Sequence, residues 1–174
     1  MNCSNKILFV DDEDTILAGF QLTLGRSFEI FVSSSVTEAL EVFKEQGPFA
    51  AIVSDFQMPI MNGAEFLQKI RELDKEVVTM LLTGAANFEN VSEAVHRGQI
   101  FRLLGKPCPA EKMKEHIEAA LRQYELIRAE KDMLEQTLNG AIRAMTSILA
   151  ASKPLFFGRA QRVKDIAFKL ADLL

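Results

Sequence analysis

Four short apolar runs in this sequence each lead into polar side chains of complementary chemistry. Two runs lead into carboxylates, one into a hydroxyl group and one into an ammonium group: Asp11 and Asp12 follow residues 6–10, Asp55 follows residues 50–54, Thr83 follows residues 77–82, and Lys106 closely follows residues 100–104. If the four runs are parallel strands, these side chains meet at one edge of a sheet, where ligands bind in open α/β folds. The spacing therefore predicts one polar site built from all four runs.

The stretch around Asp55 has the clearest local pattern. The apolar run before it is long enough for a strand buried on both faces, so we expect the carboxylate at its end to face solvent. Pro59 cannot continue the sheet, and Asn62 followed by Glu65 is typical of a helix N-terminus. Taken alone, Asp55 is explained equally well as a turn residue. The polar residues that follow the other runs favour a functional site.

Helical patterns alternate with the predicted strands through the first two thirds of the chain. The predicted helices cover residues 14–24, residues up to about 46 after a capping box of Ser35 and Glu38, a stretch after Asn62 that turns Phe66, Leu67 and Ile70 inward, and residues 87–97. A further short strand is predicted over residues 28–32. This alternation predicts an α/β fold with a doubly wound, five-stranded parallel sheet.

In these motifs the sequence resembles the receiver domain of bacterial two-component response regulators, across about residues 6–124. The acidic pair Asp11-Asp12, Asp55, Thr83 and the Lys106-Pro107 dipeptide stand in that family's order and at fitting distances. The resemblance implies a flavodoxin-like sheet of order 2-1-3-4-5 and a phosphoryl group accepted on Asp55. The implied donor is a sensor histidine kinase or a phosphotransfer protein. The expected function is phosphorelay signalling, with only self-catalysed phosphoryl transfer and autodephosphorylation, and no other enzyme activity.

Three carboxylates gathered at one edge would repel one another without a cation. Mg²⁺ is the oxygen-seeking ion that fits such a set, and we expect Asp11, Asp12 and Asp55 to bind it. The resemblance adds the backbone carbonyl of Gln57 as a ligand, and it implies that Lys106 and Thr83 contact phosphoryl oxygens. A flavodoxin-like cofactor binder is disfavoured, because the acidic residues after the first strand would repel a bound phosphate.

One position departs from the family's pattern. Three residues before the lysine, receivers usually carry Tyr or Phe as a conformational switch, whereas this chain has Leu103. Phe101 lies two residues earlier and would point to the same side of the strand. Core packing explains both residues, and we favour it for Phe101. Because the usual aromatic residue is missing, signalling through the last helix is the alternative to coupling between Thr83 and an aromatic side chain.

Residues 111–150 contain no proline and carry apolar residues at alternating spacings of four and three, interrupted by Lys131. Beyond Tyr124 this stripe holds Ile127, Leu134, Leu138, Ala141, Met145 and Ile148. This is a heptad pattern, which a long helix packed on its own domain would also produce. Beyond Tyr124 no receiver core remains to cover it, so we favour a partner helix and expect a parallel homodimer through this helix. Asn139-Gly140 is a weak point, where the helix is expected to kink or end.

The C-terminal segment changes character at Pro154 and then predicts another amphipathic helix over residues 159–174. It resembles the opening of an HD-type output region, although no His-Asp pair occurs in the chain. We therefore predict three parts: a receiver over residues 1–124, a helical linker over 125–152, and a truncated or degenerate HD-type opening over 153–174. The alternative function is a regulatory module of an HD-type cyclic-nucleotide phosphodiesterase whose catalytic part lies beyond Leu174.

The 174-residue chain has a net charge of −4, and no basic helix-turn-helix follows the receiver, so a nucleic-acid partner is not expected. Two isolated cysteines fit a reducing compartment. The N-terminus lacks the apolar core of a signal peptide, and no apolar run reaches membrane-spanning length. We expect a cytoplasmic protein without a membrane partner.

Overall fold

The computed structural model describes residues 4–84 and 100–152 of the chain. The helices predicted over residues 87–97 and 159–174 lie outside these ranges. Among the described residues, no helix is long and apolar enough to cross a membrane.

Five parallel strands form one sheet in the order β2-β1-β3-β4-β5, which confirms the predicted topology. The strands are β1 (Lys6–Val10), β2 (Glu29–Ser33), β3 (Ala51–Asp55), β4 (Val78–Thr83) and β5 (Arg102–Gly105). The last residues of neighbouring strands lie in register, with Val10 beside Ser54, Asp55 beside Leu82 and Thr83 beside Gly105. This register brings the carboxyl ends of β1, β3, β4 and β5 to one edge.

Helices cover both faces of this sheet. They are α1 (Asp14–Leu24), α2 (Val36–Gln46), α3 (Gly63–Leu73) and α4 (Ala110–Ser152). Two predicted caps are present: the Ser35 hydroxyl accepts a hydrogen bond from the Glu38 N–H at 3.2 Å, and the Asn62 side-chain oxygen accepts one from the Glu65 N–H at 2.9 Å. These caps fix where α2 and α3 begin, and α3 begins directly after the loop that follows Asp55.

The core has two layers because alternate strand residues point to opposite faces. Ile7 and Phe9 pack with α1 and with the first part of α4, whereas Leu8 and Val10 pack with α2 and α3. The α3 residues predicted to face inward, Phe66, Leu67 and Ile70, are fully buried. The two layers pack on opposite faces of the sheet and so fix the strands whose carboxyl ends form the polar edge.

The helix α4 has 43 residues and runs through Asn139-Gly140. Of the two expected alternatives, a kink or an end, the end is therefore wrong. The chain divides into two compact units, Met1–Arg128 and Ala129–Leu174. In the first unit, α4 buries Met113, Ile117, Ala120 and Tyr124. In the second, its large apolar side chains are exposed.

Candidate functional site

Four of the predicted site residues lie at the carboxyl edge of the sheet. Asp11 directly follows β1, Asp55 and Thr83 are the last residues of β3 and β4, and Lys106 directly follows β5. The backbone N–H of Lys106 donates to the Thr83 carbonyl at 2.8 Å, which ties the lysine to the end of β4. The parallel topology therefore brings together groups that are up to 95 residues apart in sequence.

Lys106 bridges two of the carboxylates. Its Nζ lies 2.8 Å from Asp11 Oδ2 and 2.8 Å from Asp55 Oδ1. Asp11 and Asp55 are only 2% and 5% exposed. A buried carboxylate is costly unless it is paired and hydrogen-bonded, and one ammonium group pairs with both.

Backbone groups orient the remaining oxygens of these two carboxylates. Asp11 Oδ1 accepts a hydrogen bond from the Glu13 N–H at 3.0 Å, and Asp55 Oδ2 accepts one from the Gln57 N–H at 3.0 Å. Each carboxylate is thus held between a backbone N–H and Lys106. Both rotamers are fixed before any ligand arrives, which preorganises the site.

The expectation that Asp55 faces solvent is wrong. The strand does not stop before it, because Asp55 still pairs in register with Leu82, and the following Phe56 N–H donates to the Leu82 carbonyl at 2.8 Å. Asp55 is therefore the last residue of β3 and is buried. Sequence alone located the end of the strand to within one residue, but it could not show that Asp55 stays within the strand and is buried.

Burial changes the protonation equilibria of the pair. It raises the pKa of the Asp55 carboxyl above its ordinary value, and the Lys106 ammonium group opposes this rise without cancelling it. Burial alone would lower the pKa of Lys106, but its hydrogen bonds to Asp11 and Asp55 outweigh this effect, so its pKa is raised. Lys106 is therefore held in its protonated form, beside the Asp55 carboxylate, which desolvation has made more basic.

Asp11, Asp12 and Asp55 each offer one carboxylate oxygen, and these oxygens lie within 4.8 Å of one another. Asp12 is exposed, whereas the other two are buried. Three carboxylates and one lysine leave an excess of negative charge. Oxygen donors in this number suit a hard divalent cation that keeps some of its waters, so the residues present fit Mg²⁺.

Thr83 contributes a buried hydroxyl group at the same edge, with 1% exposure. Its Oγ1 donates to the Gly84 carbonyl at 3.3 Å, a long hydrogen bond that a better acceptor could replace. Beside Lys106 an open pocket of about 380 Å³ is lined by Ile16, Phe20, Leu82, Lys106, Pro107 and Cys108. The pocket gives access to the lysine side of the site.

Gly63, the first residue of α3, lies against the backbone of the site and was not predicted to do so. A Cβ added there would lie 1.9 Å from the Asp55 carbonyl oxygen and 2.8 Å from Ser54 Oγ. The Gly63 N–H also donates to the Phe56 carbonyl at 3.0 Å. The start of α3 therefore packs directly on the backbone of Asp55. The pattern at Asn62 predicted the start of a helix, but sequence could not show what the glycine touches.

The loop between Asp55 and Gly63 contains a second unpredicted feature. Ile60 has a φ of 75°, and the Met61 N–H donates to the Pro59 carbonyl at 2.8 Å across it. A hydrogen bond between residues two apart, around a positive φ, is a rare and strained three-residue turn. The Ile60 side chain is 94% exposed, so packing within the described residues does not explain the strain.

The prediction that Phe101 packs in the core is wrong. β5 begins at Arg102, so Phe101 precedes the strand and is 36% exposed, and the Arg102 guanidinium lies 5.2 Å from its ring centroid. Leu103 is partly buried and packs on the α2 and α3 side of the core. The side chain three residues before Lys106 is therefore a packing residue without an aromatic ring.

His116 is a partly exposed residue of α4 whose ring is hydrogen-bonded. Arg102 Nη1 lies 2.9 Å from His116 Nδ1. Because a guanidinium group can only donate, Nδ1 accepts this hydrogen bond and the ring proton of the neutral form is on Nε2. Burial and the Arg102 charge lower the pKa of His116. His96 lies outside the described residues.

Comparison with known proteins identifies the family. A family model described as the response regulator receiver domain matches residues 7–118. The chain belongs to this family. The receiver domain is the regulatory part of two-component response regulators, so the predicted resemblance is confirmed across most of the first unit.

Two curated relatives and two solved structures illustrate the match. The transcriptional regulatory protein SrrA of Staphylococcus aureus is 33% identical over 129 residues, which are 74% of this chain and 52% of SrrA. The hydrogenase transcriptional regulatory protein HoxA of Cupriavidus necator is 26% identical over 160 residues, which are 90% of this chain and 33% of HoxA. A structure of an adenylate cyclase from Rhodopirellula baltica has a TM-score of 0.74 and 36% identity, covering 76% of this chain and 98% of that one. A receiver domain protein from Clostridium thermocellum has a TM-score of 0.66 and 30% identity, covering 70% of this chain and 98% of that one.

This chain spans about a third to a half of the length of these two curated relatives. The receiver of an HD domain-containing protein from Pseudomonas fluorescens also matches, but at 24% identity it shows the fold alone. The predicted HD-type output and the phosphodiesterase alternative therefore stay predictions. The same holds for the absence of a nucleic-acid or membrane partner and for the three predicted domain boundaries.

Proposed function

We propose that this chain is a phosphoacceptor switch of the cytoplasm: Asp55 accepts a phosphoryl group from a sensor histidine kinase or a phosphotransfer protein. The observation that carries the proposal is the position of Lys106, 2.8 Å from carboxylate oxygens of both Asp11 and Asp55. Phosphoryl transfer depends mainly on positioning and charge neutralisation, and this lysine supplies both.

Asp55 is the proposed nucleophile. One of its carboxylate oxygens attacks the donor's phosphorus, the bond from phosphorus to the donor breaks, and an acyl phosphate forms. The Gln57 N–H holds Oδ2 at 3.0 Å, and this contact sets the orientation of the carboxylate for attack. Lys106 is already at the acceptor and would pair with a phosphoryl oxygen as a point charge. The Thr83 hydroxyl would exchange its 3.3 Å hydrogen bond to Gly84 for a phosphoryl oxygen.

Asp11, Asp12, Asp55 and the Gln57 carbonyl are the proposed holders of Mg²⁺, and three of these groups already cluster within 4.8 Å. The ion, when bound, would neutralise charge on the phosphoryl oxygens. Asp12 is the exposed member of the set and is therefore the group that an entering hydrated cation meets first. No residue of this site suggests turnover of another substrate, so we assign only phosphoryl acceptance and self-catalysed loss of the group by hydrolysis.

Phosphorylation by a small donor tests this function directly. The full chain, incubated with acetyl phosphate and Mg²⁺, should gain one phosphoryl group by intact-mass spectrometry. Asp55→Asn should abolish the gain, because an amide is not a nucleophile for this reaction. Asp74→Asn is the matched control, since Asp74 caps the end of α3 and should be labelled like the wild type. Labelling of Asp55→Asn at the wild-type level would remove Asp55 as the acceptor.

The cation is tested on the same chain by titration calorimetry. Mg²⁺ should bind the wild type, and Asp12→Ala should bind it at least about tenfold more weakly, because the variant loses one of very few protein ligands. Glu13→Ala, which changes the neighbouring residue, should retain wild-type affinity. Unchanged affinity in Asp12→Ala would exclude Asp12 from the site.

A further inference from the structure

The part of α4 beyond Arg128 exposes a large apolar surface. Its bulky apolar side chains are between 53% and 72% exposed: Met133, Leu134, Leu138, Ile142, Met145, Ile148 and Leu149. Soluble proteins rarely leave so many neighbouring apolar side chains uncovered, and such patches mark interaction sites.

Four of these side chains form a regular seam, which we call the 138–149 seam: Leu138, Ile142, Met145 and Leu149. Their spacings of four, three and four residues place them on one face of the helix. The stripe expected from sequence ran instead through Ala141 and Ile148. The exposed side chains show that the bulkiest continuous row includes Ile142 and Leu149, which that stripe omitted.

Charge limits the extent of this seam. The two preceding positions of the same row are Lys131 and Glu135, so the apolar row begins at Leu138. From Gln136 to Ser152 the helix carries a single charge, Arg143. Arg143 follows Ile142 directly and so projects about 100° away from it around the helix axis. The seam is therefore an uncharged surface next to a charged stretch on the same helix.

We propose that the 138–149 seam associates with the same seam of a second copy of this chain, in an antiparallel arrangement. The spacing of four, three and four is the same in both directions, so the row is complementary to itself about a two-fold axis between Ile142 and Met145. Leu138 then lies opposite Leu149 of the partner subunit, and Ile142 lies opposite Met145 of the partner subunit.

Charge decides the direction of the two helices. A parallel pair in register would place Lys131 beside Lys131 of the partner subunit and Glu135 beside Glu135 of the partner subunit, with like charges in the row. An antiparallel pair centred on the seam moves the two charged stretches to opposite ends. The exposed residues thus favour an antiparallel dimer over the parallel dimer expected from the heptad pattern.

Sedimentation of the full, unphosphorylated chain over a micromolar concentration series tests the association. The wild type should be a dimer, and Leu138→Asp with Met145→Asp should raise the dimer dissociation constant at least about a hundredfold, because charge replaces two apolar contacts in each copy. The matched control is Asn139→Asp with Thr146→Asp, which adds the same charge one residue along and should leave the dimer intact. Circular dichroism checks that all chains keep their helix content.

A wild-type chain that remains a monomer throughout the series would overturn the proposal, whether residues 153–174 or another protein covers the seam. A Leu138→Asp, Met145→Asp variant that dimerises like the wild type would also overturn it, because the interface would then lie elsewhere.

Disulfide trapping tests the direction. In a full chain with Cys3→Ser and Cys108→Ser, a mixture of Leu138→Cys and Leu149→Cys chains should form a mixed disulfide dimer under mild oxidation. A dimer of two identical variant chains should remain largely uncrosslinked, because its two cysteines then lie at opposite ends of the seam. Efficient crosslinking of Leu138→Cys with itself would instead establish a parallel pair and overturn the proposed arrangement.

Discussion

The helix α4 carries one apolar periodicity through two different environments. Four of its apolar residues in the first unit are at most 1% exposed, and four in the second are at least 60% exposed: Met113, Ile117, Ala120 and Tyr124 against Leu134, Leu138, Met145 and Ile148. The buried set packs against residues of β1, β3 and β4 and of α1. Spacing thus identifies the apolar face of a helix, whereas burial depends on which other elements lie within reach.

The largest expected change in stability comes from a substitution in the buried part of α4. Ile117→Ala should lower the free energy of unfolding by about 2–5 kcal/mol, because it leaves a cavity in a packed core. Leu138→Ala should change it by less than about 0.5 kcal/mol, because the side chain is 60% exposed. Urea unfolding, followed by circular dichroism, measures both at a protein concentration below the dissociation constant of the proposed dimer, where Leu138 is not in an interface. Equal losses would mean that the second half of α4 is covered as well as the first.

Two glycine substitutions compare a tightly packed position in the first unit with an open position in the second. Gly63→Ala should cost about 1–3 kcal/mol, because its Cβ would collide with backbone, at 1.9 Å from the Asp55 carbonyl oxygen. Gly140→Ala should stabilise the helix by about 1 kcal/mol, because no atom outside the neighbouring turns of its own helix backbone lies within 4 Å of the added Cβ. Thermal unfolding should therefore shift in opposite directions for the two variants. A destabilised Gly140→Ala chain would reveal a close neighbour at that position.

The smallest expected effect concerns pH. The pKa of His116 is lowered by burial and by Arg102, so between that value and the ordinary value near 6.5 the unfolded chain binds more protons than the folded one. The stabilising contribution is therefore present above about pH 6.5 and is lost as the pH falls below it. His116→Gln should unfold with a shallower decrease of stability between neutral and mildly acidic pH. Identical slopes in the two chains would show that His116 titrates normally.

Sequence patterns located the framework well where the signal is local. β1 and α1 have their predicted bounds, and the caps at Ser35 and Asn62 are present, because capping depends on side chains within three residues. The convergence of Asp11, Asp55, Thr83 and Lys106 also followed, because parallel strands must bring their carboxyl ends to one edge. These inferences needed only periodicity and topology.

What sequence could not give depends on contacts between distant segments. Asp55 still belongs to β3 and is buried, and Phe101 is exposed because β5 starts at Arg102, two residues later than predicted. The requirement for glycine at position 63 exists only because α3 meets the backbone of Asp55. None of these contacts has a periodic or compositional signature in the chain.

The contact between Gly63 and Asp55 has a mechanical consequence. The end of β3 and the first turn of α3 are in such close contact that the Asp55 main chain cannot shift toward α3 without displacing it. A displacement of a few tenths of an ångström toward the helix would push its first turn directly, without a side chain to bend in between. α3 is therefore the element that such a displacement would contact first.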